Sequence, residues 1–117
     1  AELGDFDAIL AANLLCRLAD PRAFLARVAD GSLLRRGGLL ALMSPYSWAE
    51  VHTPRQAWLG GRADADTPSR SRAGVLAALG REFELVHEQD VPLLIREHGR
   101  KFQLIRAHAM VLQRCRT

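Results

Sequence analysis

The fold of this chain is decided by residues 6–48, which read FDAILAANLLCRLADPRAFLARVADGSLLRRGGLLALMSPYSW. Residues 6–12 and 39–43 are continuous apolar runs of strand length, and continuity instead of alternation is typical of strands that are buried on both faces. Between the two runs, Asp20 is a suitable N-cap and Pro21 a suitable first residue for a helix. A strand, a helix and a second strand in this order predict a parallel α/β sheet with flanking helices.

The helix is expected to extend to Leu34, since its apolar residues recur at close to helical spacing. The second strand is expected to start after Gly37-Gly38 and to stop at Pro45, which has no amide hydrogen for the ladder. Parallel sheets bind ligands at the carboxyl ends of their strands. The sequence therefore predicts that Asn13 and Tyr46, which follow the two strands, face a shared pocket.

The second half of the chain begins with residues 44–69, which have no clear period and contain both tryptophans and the tyrosine. A connection this long is usually functional, so we predict a loop or lid on the substrate side. Helix signals resume near residues 69–71 and end at Gly80. Alternation then predicts a strand over residues 83–88, followed by a loop that contains Asp90 and Pro92, and a last strand over residues 102–112.

Composition limits the classes of protein to consider. The 117 residues have room for one domain, and 49% hydrophobic content is enough for a core. The net charge of +3 arises from 16 basic and 13 acidic residues, a mild excess that does not by itself imply nucleic acid. Cys16 and Cys115 lack metal-ligand spacing, and we interpret them as reduced thiols. No apolar run approaches the about 20 residues of a membrane-spanning helix, and the N-terminus lacks the basic start of a secretion signal. We expect a cytoplasmic protein without a metal.

The predicted order of elements resembles the C-terminal half of a class I S-adenosylmethionine-dependent methyltransferase. In that partial Rossmann-like sheet the strands would be the fourth to the seventh, with the last one antiparallel. Residues 33–40, LLRRGGLL, are similar to the family's helix end, Pro-Gly-Gly turn and fifth strand, with Arg36 where the family usually has proline.

Five more specific blocks are similar to the 4-mercaptohistidine N1-methyltransferase domain at the C-terminus of ovothiol-synthesis proteins. They are residues 11–18, 44–48, 53–55, 58–61 and 94–103. The resemblance covers nearly the whole chain and implies S-adenosyl-L-methionine as cofactor and a small amino-acid-like acceptor, methylated on an imidazole nitrogen. In such an in-line displacement the protein chiefly holds the reactants together, which contributes about 7–11 kcal/mol. The resemblance does not identify a catalytic base.

Candidate site residues follow from the resemblance and from position. Asn13 and Leu14 are expected at the cofactor, although a turn role is as common for asparagine in such places. Tyr46 and Trp48 are expected to form an aromatic wall for the substrate or the sulfonium. Trp58 is interpreted as a core anchor instead.

A second candidate cluster lies within residues 94–103. Arg96 would pair with the carboxylate of an amino-acid substrate and Glu97 with its ammonium group, with His98 beside them. The alternative is an exposed hairpin loop with solvated charges. His87 and His108 are expected to pack, and Glu50 and His52 to be solvated.

In this fold family a glycine-rich loop follows the first strand and a ribose-binding acid follows the second. Neither has a counterpart in residues 1–117. We therefore expect a single partial domain over residues 1–117 that is inactive alone and binds the donor weakly or not at all. The first strand would be an open sheet edge, which favours pairing with the missing N-terminal half or with a homodimer partner. Two alternatives stay open: a non-enzymatic interaction module that pairs through this edge, and a nucleic-acid-binding domain. The latter would use dispersed arginines: Arg70, Arg72, Arg96, Arg100 and Arg106.

Overall fold

A computed structural model describes residues 5–60 and 67–116, with side chains for residues 5–60 and 70–116. These residues form a mixed α/β fold with one open sheet. The strands are β1 (Phe6–Ala12), β2 (Leu34–Ser44), β3 (Phe83–His98) and β4 (Lys101–Arg114), and the helices are α1 (Pro21–Ala29) and α2 (Thr67–Leu79). Short 3-10 turns occur at Leu15–Arg17, Arg55–Ala57 and Gly80–Glu82.

The four strands lie in the order β1-β2-β4-β3. β1 and β2 are parallel, with Ile9 opposite Leu40 and Ala12 opposite Met43. β4 is antiparallel to β2 and to β3, so the prediction of an antiparallel last strand is confirmed. β1 is an edge of the sheet, as predicted.

One core joins the sheet to the two helices. Leu25 and Val28 of α1 and Val75 of α2 are fully buried together with Leu40 and Leu112 of the sheet. Each such side chain contributes about 1.5–3 kcal/mol by leaving water. α1 and α2 also contact each other. The core therefore lies between the helix pair and one face of the sheet.

The opposite face of the sheet is only partly covered. Leu10 of β1 is 73% exposed and Leu39 of β2 is 41% exposed, whereas Ala11 is the buried residue of β1. The prediction that both apolar runs are buried on both faces is therefore wrong for β1. Its continuous apolar sequence does not reflect two-sided packing within the described residues.

α1 begins as predicted, because the Asp20 side chain accepts a hydrogen bond from the Ala23 amide at 3.1 Å and Pro21 is the first helical residue. Its predicted end is wrong. The helix ends at Ala29, since Gly31 has a φ of +84° and the Asp30 carboxylate accepts the Ser32 amide at 2.7 Å. The chain then enters β2 at Leu34, before the glycine pair instead of after it.

β3 and β4 form one long hairpin. The predicted loop at Asp90 and Pro92 is wrong, because β3 continues through both residues to His98. Pro92 is tolerated there because β3 is an edge strand. Pairing between β2 and β4 ends at Ser44 and His108. Within the described part of the chain, the ladder partners of residues 91–107 therefore lie inside that segment. We call this segment the hairpin overhang.

Candidate functional site

The strained backbone of the chain lies at the carboxyl ends of β1 and β2. Among the residues that the structure describes, Asn13 and Tyr46 are the non-glycine residues with positive φ, each at 55°. The Asn13 amide donates to the Met43 carbonyl at 2.6 Å, and the Tyr46 amide donates to Oγ of Ser44 at 3.0 Å. Asparagine tolerates this conformation, but for tyrosine it is uncommon. Such strain clusters at ligand sites, so this edge is the leading site candidate.

Two clefts open at this edge. The first, here called the β1 cleft, has a volume of about 350 Å³ and is lined by residues that include Asn13, Arg17, Ser47, His52, Ile95 and Gln103. The second, the β2 cleft, has a volume of about 230 Å³ and is lined by Ser44, Pro45, Tyr46, Asp90, Arg106 and His108. Pro45 lines both clefts. The expected shared pocket is thus divided, with Asn13 in one cleft and Tyr46 in the adjoining one.

A chain of hydrogen bonds leads away from Tyr46. Its hydroxyl lies 2.7 Å from Nδ1 of His108, and Nε2 of His108 lies 2.5 Å from Oε2 of Glu88. Arg72 donates to both oxygens of Glu88, from Nε at 2.5 Å and from Nη2 at 3.0 Å. The network therefore connects the end of β2 through β4 and β3 to α2.

The charges of this network are set by its contacts. The hydrogen bonds from Arg72 and then from His108 lower the pKa of Glu88 to about 2, which keeps it ionised. Burial, followed by the negative charge of Glu88, raises the pKa of Tyr46 far above its usual range, and Arg72 opposes this only in part. Tyr46 is therefore a neutral hydroxyl beside a carboxylate that stays charged.

The β1 cleft has a different chemistry. Nη1 of Arg17 lies 3.4 Å from Nε2 of His52 across it, and Asn13 and Ser47 supply uncharged polar groups. Cys16 also lines it but is only 4% exposed, which agrees with its predicted packing role. No acidic side chain is among the described residues that line this cleft. The cleft therefore suits a carboxylate or another anionic group.

Leu14 and Trp48 lie outside both described clefts. Leu14 is 38% exposed at the start of the first 3-10 turn. Trp48 donates its indole N–H to Oγ of Ser71 at 2.9 Å and packs against the core. Trp48 thus connects the loop to α2.

The described part of the predicted loop over residues 44–69 is attached firmly to the rest of the fold. Thr53 is fully buried and donates its hydroxyl to the Leu18 carbonyl. Trp58 is buried and donates to the Thr53 carbonyl at 2.9 Å, as its interpretation as a core anchor predicts. Residues 61–66 of the loop lie outside the described residues. Residues 45–60 therefore form a packed wall of the site.

The cluster of Arg96, Glu97 and His98 lies at the tip of the hairpin overhang. Glu97 pairs with Lys101 at 3.1 Å, and Nδ1 of His98 accepts the Arg100 amide at 3.1 Å. None of the three residues lines either described cleft, although the neighbouring Ile95 does. In the structure these three residues therefore belong to an exposed hairpin turn, which was the alternative to a substrate-binding cluster.

Sequence reasoning missed the residues that surround Tyr46. His108, predicted only to pack, is hydrogen-bonded through both ring nitrogens. Glu88 lies on β3, and Asp90 of β3 pairs with Arg106 of β4 at 3.0 Å on the wall of the β2 cleft. These residues share one sequence signal, the alternation of polar residues along β3 and β4. That alternation indicates a polar cluster only once the two strands are known to pair.

Two of the arginines proposed for nucleic acid contact carboxylates. Arg72 and Arg106 are paired with acidic residues, whereas Arg96 and Arg100 lie near the tip of the overhang. Within residues 5–60 and 67–116, no helix combines the length and apolar character needed to cross a membrane.

Comparisons with known proteins give a likeness in fold. No family model matches the chain, and no curated protein matches it. A solved structure described as "Conversion of a Disulfide Bond into a Thioacetal Group during Echinomycin Biosynthesis" matches 96% of this chain with a TM-score of 0.58 and 11% sequence identity. The chain spans only half the length of that solved structure. At this identity the likeness shows a common α/β fold.

Proposed function

We propose that this chain is the acceptor-binding half of a class I S-adenosylmethionine-dependent N-methyltransferase. The proposed acceptor is a small amino-acid-like imidazole, with 4-mercaptohistidine of ovothiol biosynthesis as the specific candidate, and the proposed location is the cytoplasm. The observation that carries the proposal is the position of Asn13 and Tyr46, which follow adjacent parallel strands with positive φ and line adjoining clefts. Parallel α/β sheets bind their ligands at this edge.

The sheet supports the proposal through its last strand. β4 is antiparallel and lies between β2 and β3, which agrees with strands four to seven of a partial Rossmann-like methyltransferase sheet. The solved structure with this fold is described for a conversion at sulfur, from a disulfide to a thioacetal. The acceptor proposed here also carries a sulfur atom.

The β1 cleft fits one end of S-adenosylmethionine. Arg17 offers a charged donor for the methionine carboxylate, and Asn13 and Ser47 offer uncharged polar groups beside it. The described lining of this cleft has no acid for ribose hydroxyls, so we assign only the methionine end to this chain. When bound, the donor supplies an electrophilic methyl group on a sulfonium, a reaction for which no metal is required.

The β2 cleft fits the acceptor. Asp90 and Arg106 provide opposite charges on its wall, 3.0 Å apart, which complement the ammonium and carboxylate groups of an amino acid. Tyr46 lines the same cleft and follows Pro45, which lines both clefts. Holding the two reactants in adjoining clefts is the main catalytic contribution that this arrangement makes.

The proposal is tested first by acceptor binding. We expect 4-mercaptohistidine to bind saturably in calorimetric titration and to shift backbone amide signals around the β2 cleft. Arg106→Gln should weaken this binding, whereas Arg100→Gln at the overhang tip should leave it unchanged. Absence of saturable binding, or equal effects of the two variants, would contradict the proposal.

The second test is methyl transfer in the protein that carries this sequence. Incubation with 4-mercaptohistidine and isotopically labelled S-adenosylmethionine should yield an acceptor with one labelled methyl group on nitrogen, detected by mass spectrometry. A label found only on sulfur, or no labelled product, would reject the N-methyltransferase assignment.

One observation favours a second candidate, a non-enzymatic interaction module. Among the residues that the structure describes, β1 is an edge strand with one unpaired side, and Leu10 on it is 73% exposed. Such an edge is a template for pairing with another chain. A soluble dimer in size-exclusion chromatography, with β1 amides protected from exchange and no acceptor binding, would favour this candidate.

A further inference from the structure

The network that begins at Tyr46 has a defined arrangement of hydrogens. Glu88 is ionised under the paired guanidinium of Arg72, so its carboxylate only accepts hydrogen bonds. Nε2 of His108, 2.5 Å from Glu88, therefore carries a hydrogen. In the neutral ring, Nδ1 then has a free electron pair that accepts the hydroxyl hydrogen of Tyr46 at 2.7 Å.

This arrangement determines what Tyr46 can offer to a ligand. Its only hydrogen is directed to His108, so the free electron pairs of its oxygen can accept a hydrogen bond from a group in the β2 cleft. The side chain cannot easily turn away, because Tyr46 is only 6% exposed and is held at a φ of 55°. Tyr46 is thus a fixed acceptor connected to a base.

We infer that Tyr46, His108 and Glu88 form a base relay that removes the surplus proton from an imidazole nitrogen of the acceptor in the β2 cleft. The inference rests on the proposed function and adds the catalytic base that the sequence did not identify. Tyr46 is the residue that would touch the acceptor, and His108 and Glu88 are positioning residues that act through it.

The atoms and charges of the step balance. The acceptor nitrogen forms a bond to the methyl carbon while the carbon–sulfur bond of the donor breaks, and the electron pair of that bond stays on sulfur. The N–H proton of the resulting imidazolium passes to the oxygen of Tyr46 as the Tyr46 proton moves to Nδ1 of His108. His108 becomes an imidazolium whose positive charge lies against Glu88, and the acceptor becomes neutral. No oxidant or reductant is required.

The surroundings of His108 suit this change of charge. Tyr46 faces it from the end of β2, Glu88 and Asp90 from β3, and Arg106 from its own strand. Asp90 and Arg106 are paired with each other, and Arg72 is held by Glu88. Glu88 is therefore the carboxylate in direct contact with His108 that stabilises its protonated form.

The relay is tested without catalysis by nitrogen-15 NMR of the histidine rings. At neutral pH we expect His108 to carry its hydrogen on Nε2. Addition of 4-mercaptohistidine should shift the ring signals of His108, which itself lines the cleft. The shift should be clearly smaller in Tyr46→Phe, which removes only the hydroxyl. His87 is the internal control, because its Nε2 contacts Gln89 of the same strand and not the Tyr46 network. Its ring signals should not respond. A hydrogen on Nδ1, or an equal response in Tyr46→Phe, would overturn the relay.

The relay is tested in catalysis by comparing kcat with KM in the protein that carries this chain. Tyr46→Phe should lower kcat about 100-fold with KM changed less than about twofold, and should remove the acid limb of the pH profile of kcat. Full turnover in Tyr46→Phe would reject the relay and leave the methyltransferase assignment intact. If the wild type transfers no methyl group, the assignment fails, and the ring signals of His108 decide whether the acceptor site and its base exist.

Discussion

The hydroxyl of Tyr46 lies 2.7 Å from Nδ1 of His108, although the two residues are 62 positions apart in the sequence. Tyr46 follows the end of β2, and His108 lies on β4 opposite Ser44, the last paired residue of β2. The contact therefore occurs at the point where pairing between β2 and β4 ends and the hairpin overhang begins. It connects the strained end of β2 to the antiparallel strand β4.

The ion pair between Glu88 and Arg72 should make stability depend on pH in the acid range. The pKa of Glu88 in the folded state is about 2, below its ordinary value of 4.5, so its contribution is complete above about pH 4.5 and is lost as pH falls towards 2. Glu88→Gln should lower the free energy of unfolding at neutral pH by about 1 kcal/mol, as is typical of partly exposed pairs. The difference from the wild type should disappear near pH 2 in urea titrations. Glu84→Gln on the same strand is the control, and an equal pH dependence in both variants would contradict the prediction.

Replacement of Gly31 by alanine should destabilise the protein more than replacement of Gly80, because Gly31 lies against the buried Arg114. Gly31 and Gly80 both have positive φ, but a Cβ on Gly31 would lie 2.5 Å from a guanidinium nitrogen of Arg114. A Cβ on Gly80 would meet no atom of the described residues within 4 Å. Gly80→Ala should cost about 1 kcal/mol from backbone strain alone. Gly31→Ala should cost more, because Arg114 is buried and donates to the Leu34 carbonyl at 2.5 Å. Equal losses in thermal unfolding would show that Arg114 moves aside freely.

The contact between α2 and the loop should reverse the usual effect of replacing a helical glycine. Helix propensity alone predicts that Gly74→Ala stabilises the protein by about 1 kcal/mol. A Cβ on Gly74, however, would lie only 2.1 Å from the backbone carbonyl oxygen of Leu59, so α2 would have to move away from the loop. We expect net destabilisation in chemical denaturation and a changed fluorescence of the buried Trp58. A stabilised Gly74→Ala would mean that the loop is not held against α2.

The exposed edge strand should control self-association. Leu10→Lys places a charge on β1, and charges on edge strands oppose pairing with another chain. We expect this variant to remain monomeric in light scattering at concentrations where the wild type associates. Val51→Lys replaces a residue that is 84% exposed but lies in the loop instead of at the edge, and it should behave like the wild type. Association that persists in Leu10→Lys would show that contacts form elsewhere.

Local signals allowed part of the fold to be predicted. The start of α1 followed from Asp20 and Pro21, whose roles depend only on their neighbours in sequence. The two parallel strands followed from apolar runs of the right length. The end of α1 was missed because the turn at Asp30 and Gly31 ended the helix before the apolar stripe did.

The remaining errors concern features that depend on distant pairing. Pro92 indicated a loop, and only its position on an edge strand explains why β3 continues through it. The end positions of Asn13 and Tyr46 could be predicted, because each follows a recognisable strand. The hydrogen-bonding partners of Tyr46 could not be predicted. His108 reaches Tyr46 through the register of β4 against β2, and Glu88 reaches His108 through the register of β3 against β4, which no local pattern encodes.

We expect the hairpin overhang to be the least stable wall of the candidate site. Residues 91–107 have ladder partners only within the overhang, and an isolated two-stranded ribbon is marginally stable in water. Its amide hydrogens should exchange through local opening, well before those of Leu40 and Leu112 in the core. Because Ile95 and Gln103 line the β1 cleft, we expect each such opening to widen the entrance to that cleft. The rate of ligand entry should then depend on the fraying of this ribbon, while the central strands stay closed.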